Sequence, residues 1–149
     1  MAWGDGDFIT ARIPHRPPFL WLDRVVELTE SEIRAETWLD PDLDVFGGHY
    51  PGQPIMPGVL LCEAVFQAGA LLIAETAAPE ELAHGVPVLA RIQGARFKRP
   101  VGPGDTIVIR ARILEKVGPA WFLKGSVKRA GKLAVRVEFS CTLSRNREG

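Results

Sequence analysis

His49 and Glu63 are the two side chains of this 149-residue chain whose setting best suits proton transfer. His49 lies in a segment rich in glycine and proline, with Gly47, Gly48, Pro51, Gly52, Pro54 and Pro57 around it. Imidazole titrates near neutral pH, so a histidine held there is a candidate base or proton shuttle. Glu63 stands in a run from Val59 to about Thr76 that only Glu63, Gln67 and Glu75 interrupt among small and apolar residues. A carboxylate on such a helix needs a partner or changes its ionisation, and acids of this kind often mark functional sites. The plain alternative is a structural salt bridge at a helix start. Gln67 follows one helical turn later on the same face, placed either to support the site or to serve structure alone. The backbone N–H of Gly58, at the positive end of the same helix, is a candidate donor to a developing oxyanion.

The surrounding pattern says what must position these groups. The prolines and glycines of residues 46–57 predict an irregular but restricted loop, neither helix nor inner strand. Pro57 suits a first helical turn, where its missing N–H costs nothing. The run after it is hydrophobic nearly all round, which predicts a helix covered on all sides. Its length approaches that of a membrane span, but Glu63 and Gln67 are costly in lipid and no span is expected. Residues 22–28 and 33–39 read as a hairpin, with Ile33, Ala35, Thr37 and Leu39 on one face. Residues 87–97, 106–114, 120–128 and 133–143 read as further strands. The last alternates cleanly, with Leu133, Val135, Val137, Phe139, Cys141 and Leu143 on one face. Residues 8–13 suit one helical turn, and the prolines of residues 14–18 enforce an extended connection. His15 and Arg16 within it read first as packing, with a functional role as the alternative. Residues 1–7 and 144–149 read as loose ends. A lone apolar helix about 28 Å long can be covered by one curved antiparallel sheet, so the expected class is α+β.

Longer strings carry a resemblance. The run Gly48-His49-Tyr50-Pro51-Gly52-x-Pro54-Ile55-Met56-Pro57-Gly58-Val59-Leu60-x-x-Glu63-Ala64-x-x-Gln67 closely resembles the signature of the FabZ-type 3-hydroxyacyl-acyl-carrier-protein dehydratases of type II fatty-acid synthesis. The likeness continues upstream through Pro14-His15-Arg16-Pro17-Pro18-Phe19-Leu20 and Leu22-Asp23-Arg24. Downstream it includes Ala95-Arg96-Phe97-Lys98-Arg99-Pro100-Val101 and Pro103-Gly104-Asp105. It implies a hot-dog fold, an antiparallel sheet wrapped around one long central helix, in one domain spanning residues 1–149. It also implies a homodimer or a trimer of dimers, and dehydration of (3R)-3-hydroxyacyl thioesters to trans-2-enoyl thioesters. In that reading His49 is the base, oriented by the carbonyl of Ile55, and Glu63 is the acid, supplied by the partner subunit. Arg96, Lys98 and Arg99 fall where an acidic carrier protein docks near the mouth of an acyl tunnel; a solvated strand face is the alternative. Val88 occupies the place of a tyrosine that gates the tunnel in many relatives, which leaves chain-length preference open. The substrate is a thioester of acyl-carrier protein or of coenzyme A, and neither a cofactor nor a metal is implied.

Composition narrows the alternatives. With 18 basic and 18 acidic residues, no overall field recruits nucleic acid. Cys62 and Cys141 lie in apolar runs and read as reduced core residues. The first residues carry two acids and no apolar stretch of signal length, which suits a cytoplasmic protein. Two competing functions remain on this fold: an acyl thioesterase, and a non-catalytic partner subunit that binds acyl-carrier protein.

Overall fold

A computed structural model describes residues 4–144. The alternating segments become strands and the apolar run becomes a helix. In chain order the elements are α1 (Gly6–Thr10), β1 (Arg24–Leu28), β2 (Glu32–Trp38), α2 (Asp44–Gly48), α3 (Gly58–Thr76), α4 (Pro79–Leu82), β3 (Val86–Phe97), β4 (Thr106–Val117), β5 (Ala120–Arg129) and β6 (Lys132–Ser144). The six strands form one antiparallel sheet in the order β1-β2-β4-β5-β6-β3. Helix α3 packs against β2, β3, β4, β5 and β6.

Period-two burial fixes which face of the sheet receives the helix. Ile33 and Ala35 of β2, Ile107, Ile109 and Ala111 of β4, Leu123 and Val127 of β5, and Val137 and Phe139 of β6 are all buried. They meet Val65, Ala68, Leu72 and Ile73 of α3 in one continuous core. Each large aliphatic side chain so buried contributes about 1.5–3 kcal/mol relative to exposure. The helix lies close to the sheet because Gly125 has no side chain. A Cβ there would come within 2.3 Å of Val65 and 2.4 Å of the Arg110 carbonyl oxygen. Helix α3 is long and apolar enough to cross a membrane by length and composition, with 67% of the relevant window buried inside the protein. The sheet supplies that cover.

Three expectations are corrected. Residues 44–48 form the short helix α2, so Gly47 and Gly48 are helical rather than part of the irregular loop. Pro57 caps α3 in an extended conformation, and the first helical residue is Gly58. Residues 4–7 are not loose: Gly4 bridges Val25, and Asp5 caps α1 by accepting from the Asp7 N–H. The expectations for residues 1–3 and 145–149 lie outside the described residues. On β6, Ala134 is buried although alternation puts it on the outer face. Its carbonyl accepts from the N–H groups of Lys98 and Arg99, so the chain leaving β3 passes beside it.

The two sheet edges differ. Strand β1 has 5 residues, and Gly4 pairs with part of it. Strand β3 has 12 residues, almost all exposed, and presents Val86, Val88, Leu89, Ile92 and Phe97 to solvent. A long apolar edge of this kind is a template for pairing with another strand.

Candidate active site

The first half of the site is built from backbone. After α2 the chain turns through a loop whose own hydrogen bonds define it: Tyr50 N–H to Gln53 O at 3.2 Å, Gln53 N–H to Tyr50 O at 3.1 Å, and Ile55 N–H to His49 O at 2.8 Å. Met56 N–H then bonds Val101 O at 2.7 Å, tying the loop to the segment before β4. The peptide bonds His49–Tyr50 and Pro17–Pro18 are cis. Within this loop His49 Nδ1 lies 3.1 Å from the carbonyl oxygen of Ile55. A carbonyl only accepts, so Nδ1 carries a proton and donates, and in the neutral ring Nε2 is the nitrogen with the lone pair. The Tyr50 ring stacks on the imidazole with centroids 4.2 Å apart.

Helix α3 starts just beyond. Its first N–H groups, Gly58 among them, have no intrahelical acceptor and point positive partial charge out of the helix end. Gly58 also leaves no room for a side chain, since a Cβ would lie 2.6 Å from the Phe97 ring. A cavity of about 300 Å³ opens here, lined by Ile55, Met56, Gly58, Phe97, Lys98 and Arg99 among others.

The second half is built from side chains. Glu63 Oε2 accepts a hydrogen bond of 2.9 Å from Gln67 Nε2, one turn along α3. Gln67 is fully buried and completely engaged at both ends of its amide. Its Oε1 accepts from the Trp21 N–H at 2.8 Å, and Nε2 also donates to the Phe19 carbonyl at 2.8 Å. The segment before β1 is thereby pinned to the helix, and the amide in turn fixes the carboxylate. His15 approaches the same oxygen, with Nε2 3.8 Å from Glu63 Oε2. Glu63 faces a cavity of about 200 Å³, whose walls include His15, Phe66, Ala70, Val88, Leu89 and Cys141. Burial pushes the Cys141 thiol up to about 12 and raises that of Cys62, so both stay protonated and unreactive.

The structure thus brings Ile55 to His49, Gly58 to the loop end, and Gln67 and Val88 to Glu63. The cavity at Glu63 is lined by neither His49 nor Gly58. The basic cluster is divided: Lys98 and Arg99 line the cavity at Gly58, whereas Arg96 lies on the outer face of the sheet beside Lys124, Arg136 and Glu138. Strand β3 ends at Phe97, so Lys98 and Arg99 leave the sheet while Arg96 stays in register opposite Arg136. His15, read first as part of a connection, stands beside Glu63. Its flanking prolines, Pro14, Pro17 and Pro18, are the same signal that singles out His49.

Comparison with known proteins places the chain in a family. A family model described as a FabA-like domain matches residues 13–138. The chain is 39% identical over 136 residues to 3-hydroxyacyl-acyl-carrier-protein dehydratase FabZ of Anaeromyxobacter dehalogenans, covering 89% of this chain and 85% of that one. It is 41% identical over 134 residues to FabZ of Thiobacillus denitrificans, covering 88% and 91%. Among solved structures, a chain of the dehydratase heterocomplex ApeI:P from Xenorhabdus doucetiae superposes with a TM-score of 0.71 at 17% identity, covering 94% and 93%. Thioesterase superfamily member 2 from Mus musculus superposes with a TM-score of 0.63 at 17% identity, covering 80% of each chain. These structural likenesses show a shared fold, the hot-dog arrangement of one sheet around a central helix. The sequence likenesses show more: this chain belongs to the FabA-like family, among the FabZ 3-hydroxyacyl-acyl-carrier-protein dehydratases.

Proposed function

We infer that this protein removes water from (3R)-3-hydroxyacyl thioesters carried on acyl-carrier protein, giving trans-2-enoyl thioesters in fatty-acid or related lipid or polyketide synthesis. The observation that carries the mechanism is the contact of His49 Nδ1 with the Ile55 carbonyl. It commits Nδ1 to the carbonyl and leaves Nε2 to act as the base. His49 Nε2 takes a proton from C2, and negative charge develops on the thioester oxygen. The Gly58 N–H, aided by the helix end, stabilises that charge. Glu63, in its protonated form, gives its proton to the C3 hydroxyl, which leaves as water as the C2–C3 double bond forms. Gln67 holds the glutamate through Oε2 and leaves Oε1 for the reacting hydroxyl.

Within one protomer His49 takes no part in the cavity that Glu63 faces. The exposed β3 edge offers the means to unite base and acid: two copies pair β3 against β3, and Glu63 of each serves the His49 of the other. The pair forms a homodimer, either alone or as a unit of a trimer of dimers, in the cytoplasm. The apolar walls at Val88, Leu89, Phe66 and Cys141 receive the acyl chain. Lys98 and Arg99, at the cavity by Gly58, meet the acidic carrier.

The test is the absorbance rise of enoyl thioester formation from a carrier-linked 3-hydroxyacyl substrate, with product analysis. Enoyl product from the wild type is expected. Free acid and thiol would indicate a thioesterase, and binding without turnover would indicate a non-catalytic partner subunit.

A further inference from the structure

His15 does not belong to the helix or the loop that carry the acid and base, yet its ring faces the acid. Nε2 is 3.8 Å from Glu63 Oε2, and the two side chains are similarly enclosed, with 26% and 23% of their surface exposed. The other ring nitrogen, Nδ1, is buried with no hydrogen-bond partner among the described residues. A buried N–H without an acceptor is rare, whereas an under-satisfied acceptor is less so. The unpartnered nitrogen is therefore the bare one, and the neutral ring carries its proton on Nε2, the atom that faces Glu63.

The connection holds the ring in that place. Arg16 donates to the carbonyls of Ile13 at 2.9 Å, His15 at 2.7 Å and Thr10 at 3.0 Å, which gathers the backbone of His15 and of the residues before it. Pro14 packs with His15 in the wall of the Glu63 cavity. A gap of 3.8 Å exceeds a hydrogen bond, but catalytic hydrogen bonds are often long in ligand-free enzymes and tighten when substrate binds.

We propose that His15 is a positioning residue for the dehydration, donating from Nε2 to Glu63 Oε2 when substrate fills the cavity, so that His15 and Gln67 grip one carboxylate oxygen and hold the other toward the C3 hydroxyl. The proposal rests on the reading of Glu63 as the acid. It assigns the two carboxylate oxygens different work: Oε2 is the anchor, and Oε1 reacts. Cys141 and Glu63 are the titratable groups that face His15 across this cavity, and Arg16 is the charged group beside it on its own segment. The thiol of Cys141 remains protonated, so it does not compete for the Nε2 proton.

Two variants separate positioning from packing. His15→Phe keeps the ring volume and loses the donor; His15→Gln keeps an N–H donor and loses the ring. Positioning predicts that kcat drops by about 10-fold or more in His15→Phe, the scale on which misplacing a reacting group costs rate. KM should stay within about 2-fold, and His15→Gln should recover most of the lost kcat. Crystal structures of both variants supply a reading that needs no activity. In His15→Gln, Glu63 Oε2 stays on Gln67 and on the new amide; in His15→Phe, the carboxylate turns and its oxygens lose their fixed assignment. Three results would overturn the proposal: wild-type kcat in both variants, equal losses in both, or a wild-type crystal structure in which His15 Nδ1 donates to an acceptor. A wild type without dehydratase activity would instead overturn the functional reading, while the carboxylate's orientation still reports whether His15 holds it.

Discussion

The proposed base side and the proposed acid side of this site are made of different material. His49 is aimed by a carbonyl six residues away within its own loop, and the Gly58 donor is itself backbone. Glu63 is held by Gln67, whose amide is committed to Phe19 and Trp21, 48 and 46 residues distant in sequence. One side is fixed mainly by backbone contacts within one loop; the other depends on the correct docking of a separate segment. A local loop can be specified by a short string of glycine and proline. A long-range grip needs the whole fold, and its failure shows as lost stability as well as lost rate.

Mutations sharpen this contrast, beginning with the largest effect. His49→Ala and Glu63→Gln should each lower kcat by about 10²–10⁴-fold, the usual worth of a positioned acid or base, with folding intact by circular dichroism. Retained activity in either variant would remove that residue from proton transfer. Gln67→Leu attacks the acid side through its support. It leaves the buried Trp21 N–H and the part-buried Phe19 carbonyl without this partner, and a fully buried orphan costs about 1–3 kcal/mol. A loss of about 2–4 kcal/mol in urea denaturation is expected, together with a fall in kcat. Unchanged stability would mean that the connection before β1 does not depend on α3.

Gly58→Ala tests the base side without altering any reacting group. The new methyl meets the Phe97 ring, which is exposed and able to yield. We expect kcat to fall by about 10-fold, since displacing a positioned donor costs part of the roughly 10²–10³ that its removal costs, and stability to change little. Phe97→Leu in the same chain should restore part of the rate. The smallest effect concerns delivery. Lys98→Glu with Arg99→Glu should weaken turnover of carrier-linked substrate several-fold while sparing a short thioester, because rim charges act mainly on encounter. Arg96→Glu, on the outer face of the sheet, should do neither; equal losses on all substrates would count against docking at Lys98 and Arg99.

The same division governs what can be read from the residues alone. The strands of the last third are legible because alternation is a local property; Val135, Val137, Phe139 and Cys141 lie inward as their spacing predicts. Helix α3 is legible because an unbroken apolar run has one favourable fate, burial. The pairing of His49 with Ile55 is legible only through resemblance, since no pattern rule links a ring nitrogen to a carbonyl six residues on. Helix α2 is hidden because glycine argues against a helix, yet Gly47 and Gly48 end a single turn where little propensity is required. The grip of Gln67 on Phe19 and Trp21 is hidden because its partners lie on a distant, irregular segment. The division of Arg96 from Lys98 and Arg99 follows from where β3 stops, and strand ends are the least legible feature of a sequence.

In the proposed dimer the backbone-built base and the side-chain-built acid meet across two copies of the chain. Mixing the two inactive proteins tests it directly. His49→Ala and Glu63→Gln chains are unfolded together in equal amounts, refolded, and assayed for enoyl formation. If the site is shared across a two-fold interface, each mixed dimer regains one intact site, and the mixture recovers about a quarter of wild-type activity. Mixed dimers that form, as native mass spectrometry would show, yet remain inactive would place both residues in one chain and rule out the shared site.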